Sequence, residues 1–420
     1  MAITDKEEGV WGLDEVYNKI NQGGIWSYTG LSQFWIVGRN NVGQLGQNSV
    51  GSPSNNGMSS PVQISGTTWK YNLMSPLAAE MGALIKTNGT LWTWGKNENG
   101  ELGQNERGPG SSTSRSSPTQ VGTDASWANG SVRGNQEGCM ATKTDGTFWI
   151  WGRNSYGSLG LNTPGGRSSP CQLPGSDWPT TNEWDAQKMC SASTDKNLVI
   201  KTDGTLWSWG SNGFGGLANN QPNPSHRSSP TQVGTDNTWA YVSGGQSVSA
   251  LKTDGSLWVW GDNSRGQLGL NQNSGQYAGS YAKSSPTQVG TETNYSQIST
   301  GNKGQWAIKT DGTLWGWGEN GFGQLGQNQA QTGGNDYNRS SPVQVGTDEN
   351  WQQVQAGADM TIALKTDGTL WSWGYNGSGS LGLNQAGAGF GVSSPTQIPG
   401  TTWTTGIKNI SNGWAAFKEI

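Results

Sequence analysis

The sequence predicts an all-β fold: a seven-bladed β-propeller of four-stranded antiparallel blades, its ring closed by N- and C-terminal strands that share one blade. Three observations carry this. The phrase KTDGTLWSWG stands at residues 201–210 and again, unchanged, at 365–374, with near copies elsewhere. The glycine ending it recurs at Gly38, Gly95, Gly152, Gly210, Gly261, Gly318 and Gly374, at intervals of 57, 57, 58, 51, 57 and 56 residues, which makes seven units. Hydrophobic residues are 31% of the 420, against 67 glycines and 24 tryptophans, so buried area must come from a few large rings separated by many turns. A repeat architecture also suits a chain longer than one core usually serves.

Each unit supplies its strands in order. Over residues 342–374, PVQV runs one way, WQQVQA returns, TIALKT runs again and TLWSWG returns. Asp-Gly between the last two is a hairpin signal, because a type I′ turn needs positive φ at both central residues. Trp371 and Trp373, two apart, share one strand face, with Leu370 and Ser372 on the other. A buried Trp removes roughly 150–250 Å² from water, on the order of 4–6 kcal/mol gross at about 25 cal/mol/Å², so these pairs are expected to glue blade to blade. The glycine after them permits a bulge. Next comes Asn-x-x-Gly, with its Asn at 40, 97, 154, 212, 263, 320 and 376, then a leucine at 45, 102, 159, 217, 268, 325 and 381. Ser-Ser-Pro follows in every unit, and a ring residue opens the next at Trp69, Trp127, Trp184, Trp239, Tyr295, Trp351 and Trp403. FWIVG at 34–38 is a late strand and residues 401–420 supply early ones, so 34–420 closes on itself and leaves no free edge.

Residues 1–33 stand outside the repeats as an arm. Thr4 and Glu7 have capping-box spacing, and Leu13, Val16, Tyr17 and Ile20 fall at i, i+3, i+4 and i+7, an amphipathic short helix. With Trp11 they form a candidate docking arm, against the propeller itself or another protein.

The string W-x-W-G-x-N-x-x-G-x-L-G, preceded by A-L-K-T-D-G, resembles the repeat of the regulator of chromosome condensation family over about residues 34–418. The resemblance implies a seven-bladed propeller. A repeat of about 40–45 residues with Gly-His and Trp-Asp fits worse. The family's eukaryotic founding member is a nucleotide-exchange factor that docks on chromatin, with a His before the AL strand. Here those turns read GGQSVSAL, GNKGQWAI and GADMTIAL, and basic tails are absent, which sets the exchange-factor reading aside. The phrase GVWGLDEVYNKINQGGIW, followed by an Asn-, Gln-, Gly- and Ser-rich propeller, is similar to structural proteins of tailed bacteriophages. That similarity implies a non-enzymatic virion protein of the tail, baseplate or fibre, made in the host cytoplasm. Its partners would be other virion proteins or a host-surface glycan or protein. The alternatives are a bacterial interaction or inhibitor module and, third, a polysaccharide depolymerase with a carboxylate pair in a cleft.

Charge and residue inventory exclude more than they assign. With 25 basic and 29 acidic residues and no basic tract, general nucleic-acid binding is not expected. Cys139, Cys171 and Cys190 have no CxxC spacing, and His226 is the one histidine, so no metal site, cofactor or Ser-His-Asp triad is expected. No Gly-Lys-Ser/Thr follows a glycine cluster. No apolar run suggests a leader or membrane insertion. The Asp-Gly residues Asp145, Asp203, Asp254, Asp311 and Asp367 are read as turn formers. Strand direction puts the unequal loops before Ser-Ser-Pro on one face, the loop face, opposite the Asp-Gly turn face. Variable loops on a rigid scaffold are where recognition sits. Candidate contacts there are Arg115, Arg167, Arg227, Lys283 and Arg339, each directly before Ser-Ser, with Tyr277, Tyr281 and Tyr337. These cations either meet an anionic partner or bond their own loops.

Overall fold

The computed structural model describes residues 33–50, 57–66, 68–69, 80–109, 112–128, 130–135, 138–180, 188–192, 195–221, 225–272, 281–329, 337–385, 391–410 and 413–418. The 1–33 arm, with Trp11, Leu13, Val16, Tyr17 and Ile20, lies outside them but for its last residue, and Tyr277 and Trp184 lie outside them too; the ring that packs against Trp209, in the place expected for Trp184, is Trp178.

Seven antiparallel sheets form the ring. Blade I joins the two ends of the chain: Lys408–Ile410 pairs with Gly413–Lys418, which pairs with Gln33–Arg39, which in turn pairs with Gly57–Ile64. Blade II shows Met81–Ile85, Leu91–Gly95 and Arg115–Gln120 among the described residues, with Trp69 bridged to Lys86 beside them. Blade III is Arg133–Asn135, Gly138–Thr142, Phe148–Gly152 and Arg167–Leu173; blade IV is Met189–Ala192, Lys196–Ile200, Leu206–Gly210 and Arg227–Gln232. Blade V is Trp239–Gly244, Ser247–Lys252, Leu257–Gly261 and Lys283–Gln288; blade VI is Tyr295–Thr300, Gly304–Lys309, Leu314–Gly318 and Arg339–Gln344. Blade VII is Trp351–Ala356, Met360–Lys365, Leu370–Gly374 and Val392–Ile398. First strands line the axis, where side chains of one bond the backbone of the next: Thr300 N–H donates to Ser243 Oγ at 2.9 Å and Ala356 N–H to Ser299 Oγ at 2.9 Å.

The glycine after each Trp pair makes the bulge its sequence suggested. Pairing of third and fourth strands shifts register there in all seven blades, with φ between 96° and 116°. A Cβ on Gly95 would lie 2.3 Å from Glu80 O, so the position also demands the missing side chain.

One apolar cluster fills each blade interface. The second Trp of a blade packs into the Leu face of the preceding blade: Trp317 among Leu257, Val259 and Leu268, Trp373 among Ile308, Leu314 and Leu325. Its indole N–H then donates to a carbonyl of that same blade, as in Trp94 to Gln44, Trp151 to Glu101 and Trp317 to Gln267, at 2.8–3.0 Å. Blade I departs from the pattern. Val37 holds the second Trp's place, and Trp414, directly across the strand pair, fills the volume instead. A Cβ on Gly382 would meet Trp414 at 2.7 Å, just as one on Gly103 would meet Trp151 at 2.9 Å.

A second device repeats seven times. Asn48, Asn105, Asn162, Asn220, Asn271, Asn328 and Asn384 all take left-handed φ of 51–59°. Each donates its N–H, at 2.7–2.9 Å, to the first serine carbonyl of the next blade's Ser-Ser-Pro: Ser116, Ser168, Ser228, Ser284, Ser340, Ser393 and Ser59. The last of these crosses the ring closure, and Ser60 Oγ adds a 2.8 Å bond to Asn384 Oδ1. Asparagine suits the position because it tolerates αL at low cost.

Trp414→Ala is expected to cost about 3–5 kcal/mol, as much as Trp317→Ala. Trp207→Ala, on a half-exposed ring, costs clearly less. Urea unfolding of the three variants checks the order.

Candidate interaction site on the loop face

On the turn face the hairpin side chains bond one another. Asp145 Oδ1 accepts the Thr147 N–H at 2.9 Å and hydroxyl at 2.7 Å, and that hydroxyl oxygen accepts the Trp149 indole N–H at 2.8 Å. The relay recurs from Asp203, Asp254, Asp311 and Asp367, and from Asn88 in blade II. Beside it, the Lys of K-T-D-G lies over two rings, one from each end of its blade: Lys143 is 4.1 Å from the Trp149 centroid and 5.2 Å from that of Trp127. In blades III, V, VI and VII the acid Asp124, Asp236, Glu292 or Asp348 closes the cage. These cages escaped sequence reasoning, although the signal was there in V-G-T-(D/E) recurring one strand away from K-T-D-G.

The loop face is built differently. In each Asn-x-x-Gly turn the Asn Oδ1 accepts the N–H of the conserved-position leucine, as in Asn97 to Leu102 at 3.0 Å, while its Nδ2 donates to a carbonyl nine residues on, here Glu106 at 3.0 Å. The third residue of the turn stands at the tip: Val42, Asn99, Tyr156, Phe214, Arg265, Phe322 and Ser378. Where Gln or Glu follows the glycine, its side chain accepts that residue's N–H, as Gln324 does for Phe322 at 2.9 Å and Gln267 for Arg265 at 2.7 Å. Blades III and IV have Ser158 and Gly216 there instead, and the tip residues Tyr156 and Phe214 turn left-handed at φ 53° and 54°. Blade VII, with Ser380, lacks the acceptor without the switch, so its loss permits the left-handed turn and does not force it.

Three of these tips are therefore exposed aromatic rings: Tyr156 at 56%, Phe214 at 37% and Phe322 at 36% of their full accessible surface. Two are braced across a blade junction. Tyr156 stacks on His226 of blade IV with centroids 4.4 Å apart, and His226 Nδ1 accepts the Asn212 N–H at 3.1 Å. Phe322 leans on Tyr375 of blade VII at 5.0 Å. Near them Asp359 has its carboxyl pushed up, by burial first and then by Glu319.

All five predicted basic residues open fourth strands opposite the bulge glycine, so the structure does set them around one face. Three are tied to their own loops. Arg115 donates to Thr113 O at 3.2 Å and to Glu106 Oε2 at 2.7 Å; Arg167 to Gly165 O and Thr163 Oγ1; Arg339 to Tyr337 O and Gln329 Oε1. Arg227 and Lys283 make no ion pair among the described residues, and Tyr281 is exposed at 44% while Tyr337 is half-buried. Sequence reasoning missed Tyr156, Phe214, Phe322 and Tyr375. An aromatic at the third place of Asn-x-x-Gly, or directly after the Trp-Gly, would have found them. No group of three or more metal-ligating side chains occurs among the described residues.

The model of the regulator of chromosome condensation (RCC1) repeat matches residues 88–128, 203–251, 254–305 and 311–364, and a second model of the same repeat matches 351–380. The chain belongs to this family. It is 26% identical to the ultraviolet-B receptor UVR8 of Arabidopsis thaliana over 303 residues, 70% of this chain and 63% of that one. It is 29% identical to the mitochondrial RCC1 domain-containing protein RUG3 of the same plant, over 57% of this chain and 52% of that one. With human HERC2, an E3 ubiquitin-protein ligase, the identity is 25% over 74% of this chain and 6% of the ligase. The chain thus spans less than two thirds of each of these relatives. Among solved structures, Prp20p of Saccharomyces cerevisiae superposes with a TM-score of 0.73 at 17% identity, covering 93% of this chain and 92% of that one. Human WBSCR16 superposes at 0.71 with 18% identity, covering 92% and 99%. RCC1-like propellers bind proteins, and the RCC1 repeat supplies here a rigid ring with one face of exposed rings.

The cages make an acid prediction. The bond from Lys143, then that from Ser126, holds the Asp124 carboxyl down at about 2, against 3.8 for an ordinary aspartate. A depressed carboxylate stabilises the fold above its unfolded value and loses that contribution as pH falls through the folded one. The thermal midpoint should therefore drop between about pH 4 and pH 2, and Asp124→Asn should remove part of the drop.

Proposed function

We propose that this RCC1-repeat propeller is a non-enzymatic interaction module that captures a protein partner on its loop face. The observation that carries the reading is the set of exposed rings at Tyr156, Phe214 and Phe322, two of them in left-handed turns. A bulky residue in that region costs on the order of 1–2 kcal/mol. Held mostly out to solvent at such a cost, these rings return to the fold only their edge contacts with His226 and Tyr375, whereas buried aromatic anchors dominate binding energy at interfaces. Tyr281, Arg227 and Lys283 extend the same surface. Yeast Prp20, which shares the fold, has been solved bound to Kap60, and its crystal structure was described together with binding to Gsp1p and histones. This supports protein recognition as a use of the scaffold without transferring any partner.

A triple variant, Tyr156→Gly, Phe214→Gly and Phe322→Ala, should keep its thermal midpoint, since glycine accepts both left-handed turns. It should lose at least about tenfold in affinity for the partner that co-purifies with the wild-type chain. Undiminished binding sinks the assignment of the face.

The second reading places the same module in the virion of a tailed phage, contacting neighbouring structural proteins or a host-surface glycan. The N-terminal phrase GVWGLDEVYNKINQGGIW favours it. Mass spectrometry of purified particles should find the chain at a fixed ratio to other virion proteins, and its absence from particles rules the setting out.

A further inference from the structure

The lysines of the turn face fall into two kinds, set by the turn that leads from one blade into the next. Before the first ring of blades III, V, VI and VII that turn reads V-G-T-(D/E)-x-x. Its glycine takes φ of 59–63°, and its acid reaches the lysine at 2.5–2.9 Å. In blades I, II and IV the turn is one residue shorter: I-P-G-T-T before Trp403, I-S-G-T-T before Trp69 and L-P-G-S-D before Trp178. Its glycine opens to φ of 107–121° and lies against the indole. A Cβ on Gly66 or Gly175 would stand 3.3 Å from Nε1 of Trp69 or Trp178, and one on Gly400 3.1 Å from that of Trp403. The shortening removes the position that carries the acid.

The lysines of these blades remain over their rings. Lys86 Nζ is 3.7 Å from the Trp92 centroid and 4.8 Å from that of Trp69, and Lys418 Nζ is 5.5 Å from that of Trp403. Among the described residues neither ammonium has an ion pair or a hydrogen bond. Burial, with no carboxylate beside it, lowers the Lys86 ammonium from its ordinary value. A ring face attracts the charge but gives the three N–H donors of a lysine no oxygen acceptor.

The two open cages of blades I and II flank one point. Gln33, where the described residues begin, pairs with Lys418. Phe34, next to it, shares an apolar cluster with Trp69 and Trp92, the two rings of the Lys86 cage. Residues 1–32 thus join the propeller between these cages, whereas the third open cage, at Lys201, lies in blade IV beyond blade III. That arm carries Asp5, Glu7, Glu8, Asp14 and Glu15 against Lys6 and Lys19. Residues 21–32, which follow its expected helix, can span up to about 40 Å.

We propose that the N-terminal arm, residues 1–32, docks on the turn face with its carboxylates in the open cages of blades I and II. It supplies from outside the repeat the acid that the shorter turns leave out. Four other blades show the ligand such a cage takes, a carboxylate on a lysine already held over its rings. A lysine ordered beforehand loses little freedom when that carboxylate arrives. Docked there, the arm braces Gln33–Arg39, the strand through which the N-terminal end closes the ring.

The test is zero-length carbodiimide coupling of the full chain, which joins a carboxylate to an amine in direct contact, followed by peptide mass spectrometry. The closed cages are the internal standard, through amides between Lys252 and Asp236 and between Lys365 and Asp348. Expected are amides from Lys86 and Lys418 to acids among residues 5–15, at a yield independent of protein concentration, and none from Lys201 to the arm. Replacing residues 64–69 by the VGTDASW of residues 121–127 brings an acid into the blade II cage, and should cut the Lys86 amide to the arm at least about fivefold. The double variant Lys86→Met, Lys418→Met should speed trypsin cleavage after Lys19 at least about fivefold, with Lys201→Met as the unchanged control. Closed-cage amides without arm amides overturn the proposal. Arm amides found only between chains, in a mixture of isotope-labelled and unlabelled protein, overturn it as well. Should the grafted chain or the double variant fail to fold, the wild-type coupling pattern decides by itself.

Discussion

One tryptophan ring per blade, driven into the back of the preceding blade, is the interaction on which the rest of the architecture depends. The ring must lie flat against a sheet it does not belong to, and its indole N–H must find a partner there. Both demands are met by the same short turn of the neighbour, which offers a carbonyl at Gln44, Glu101 or Gln267 and, two residues on, a glycine at Gly46, Gly103 or Gly269 that leaves room for the ring. Blade IV shows that the left-handed turn, more than the bare glycine, is what the place requires. Ala218 replaces that glycine, keeps its left-handed φ of 53° and packs its methyl in the cluster of Trp260. The Asn-x-x-Gly-x-Leu-Gly string is therefore a receptor for a ring that arrives from the next blade.

Ring closure tests whether that interaction or the letters that usually encode it are what matters. Blade I has lost the second Trp to Val37, yet the interface to blade VII is filled, because Trp414 reaches the same place from the adjacent strand. The indole N–H of Trp414 then has no partner among the described residues, so the substitution keeps volume and forfeits the hydrogen bond. The left-handed Asn384 latch to Ser59 is unchanged at this junction, and it holds the two ends of the chain together where a covalent linkage is missing.

The strands, the bulges and the number of blades were legible because each depends on residues a few positions apart: Asp-Gly for the hairpin, two rings two apart for the packed face, glycine for the register shift. What stayed hidden depends on residues about one repeat apart or at opposite ends of a blade. The Lys143 cage joins Trp127, Trp149 and Asp124, and the Asn latch explains Ser-Ser-Pro through a bond to the previous unit. The basic residues before Ser-Ser were visible as a ring, but their bonding was not, since Arg115, Arg167 and Arg339 bend back on loops whose lengths differ from unit to unit. Rings at turn tips were overlooked because they occupy a slot that holds Val, Asn, Arg or Ser in other units.

That slot separates scaffold from surface by a physical criterion. A position that serves the fold is filled alike, or nearly so, from blade to blade, and its polar atoms are consumed: the latch asparagines follow this rule in all seven blades, and the turn aspartates follow it with Asn88 in the same role in blade II. Positions that differ from blade to blade, and that leave a ring exposed, gain nothing from the seven-fold arrangement. In this chain they stand at the tips of the loop face, at Tyr156, Phe214 and Phe322. They break the symmetry of the propeller, and a partner that itself lacks seven-fold symmetry finds a single register only where that symmetry is broken.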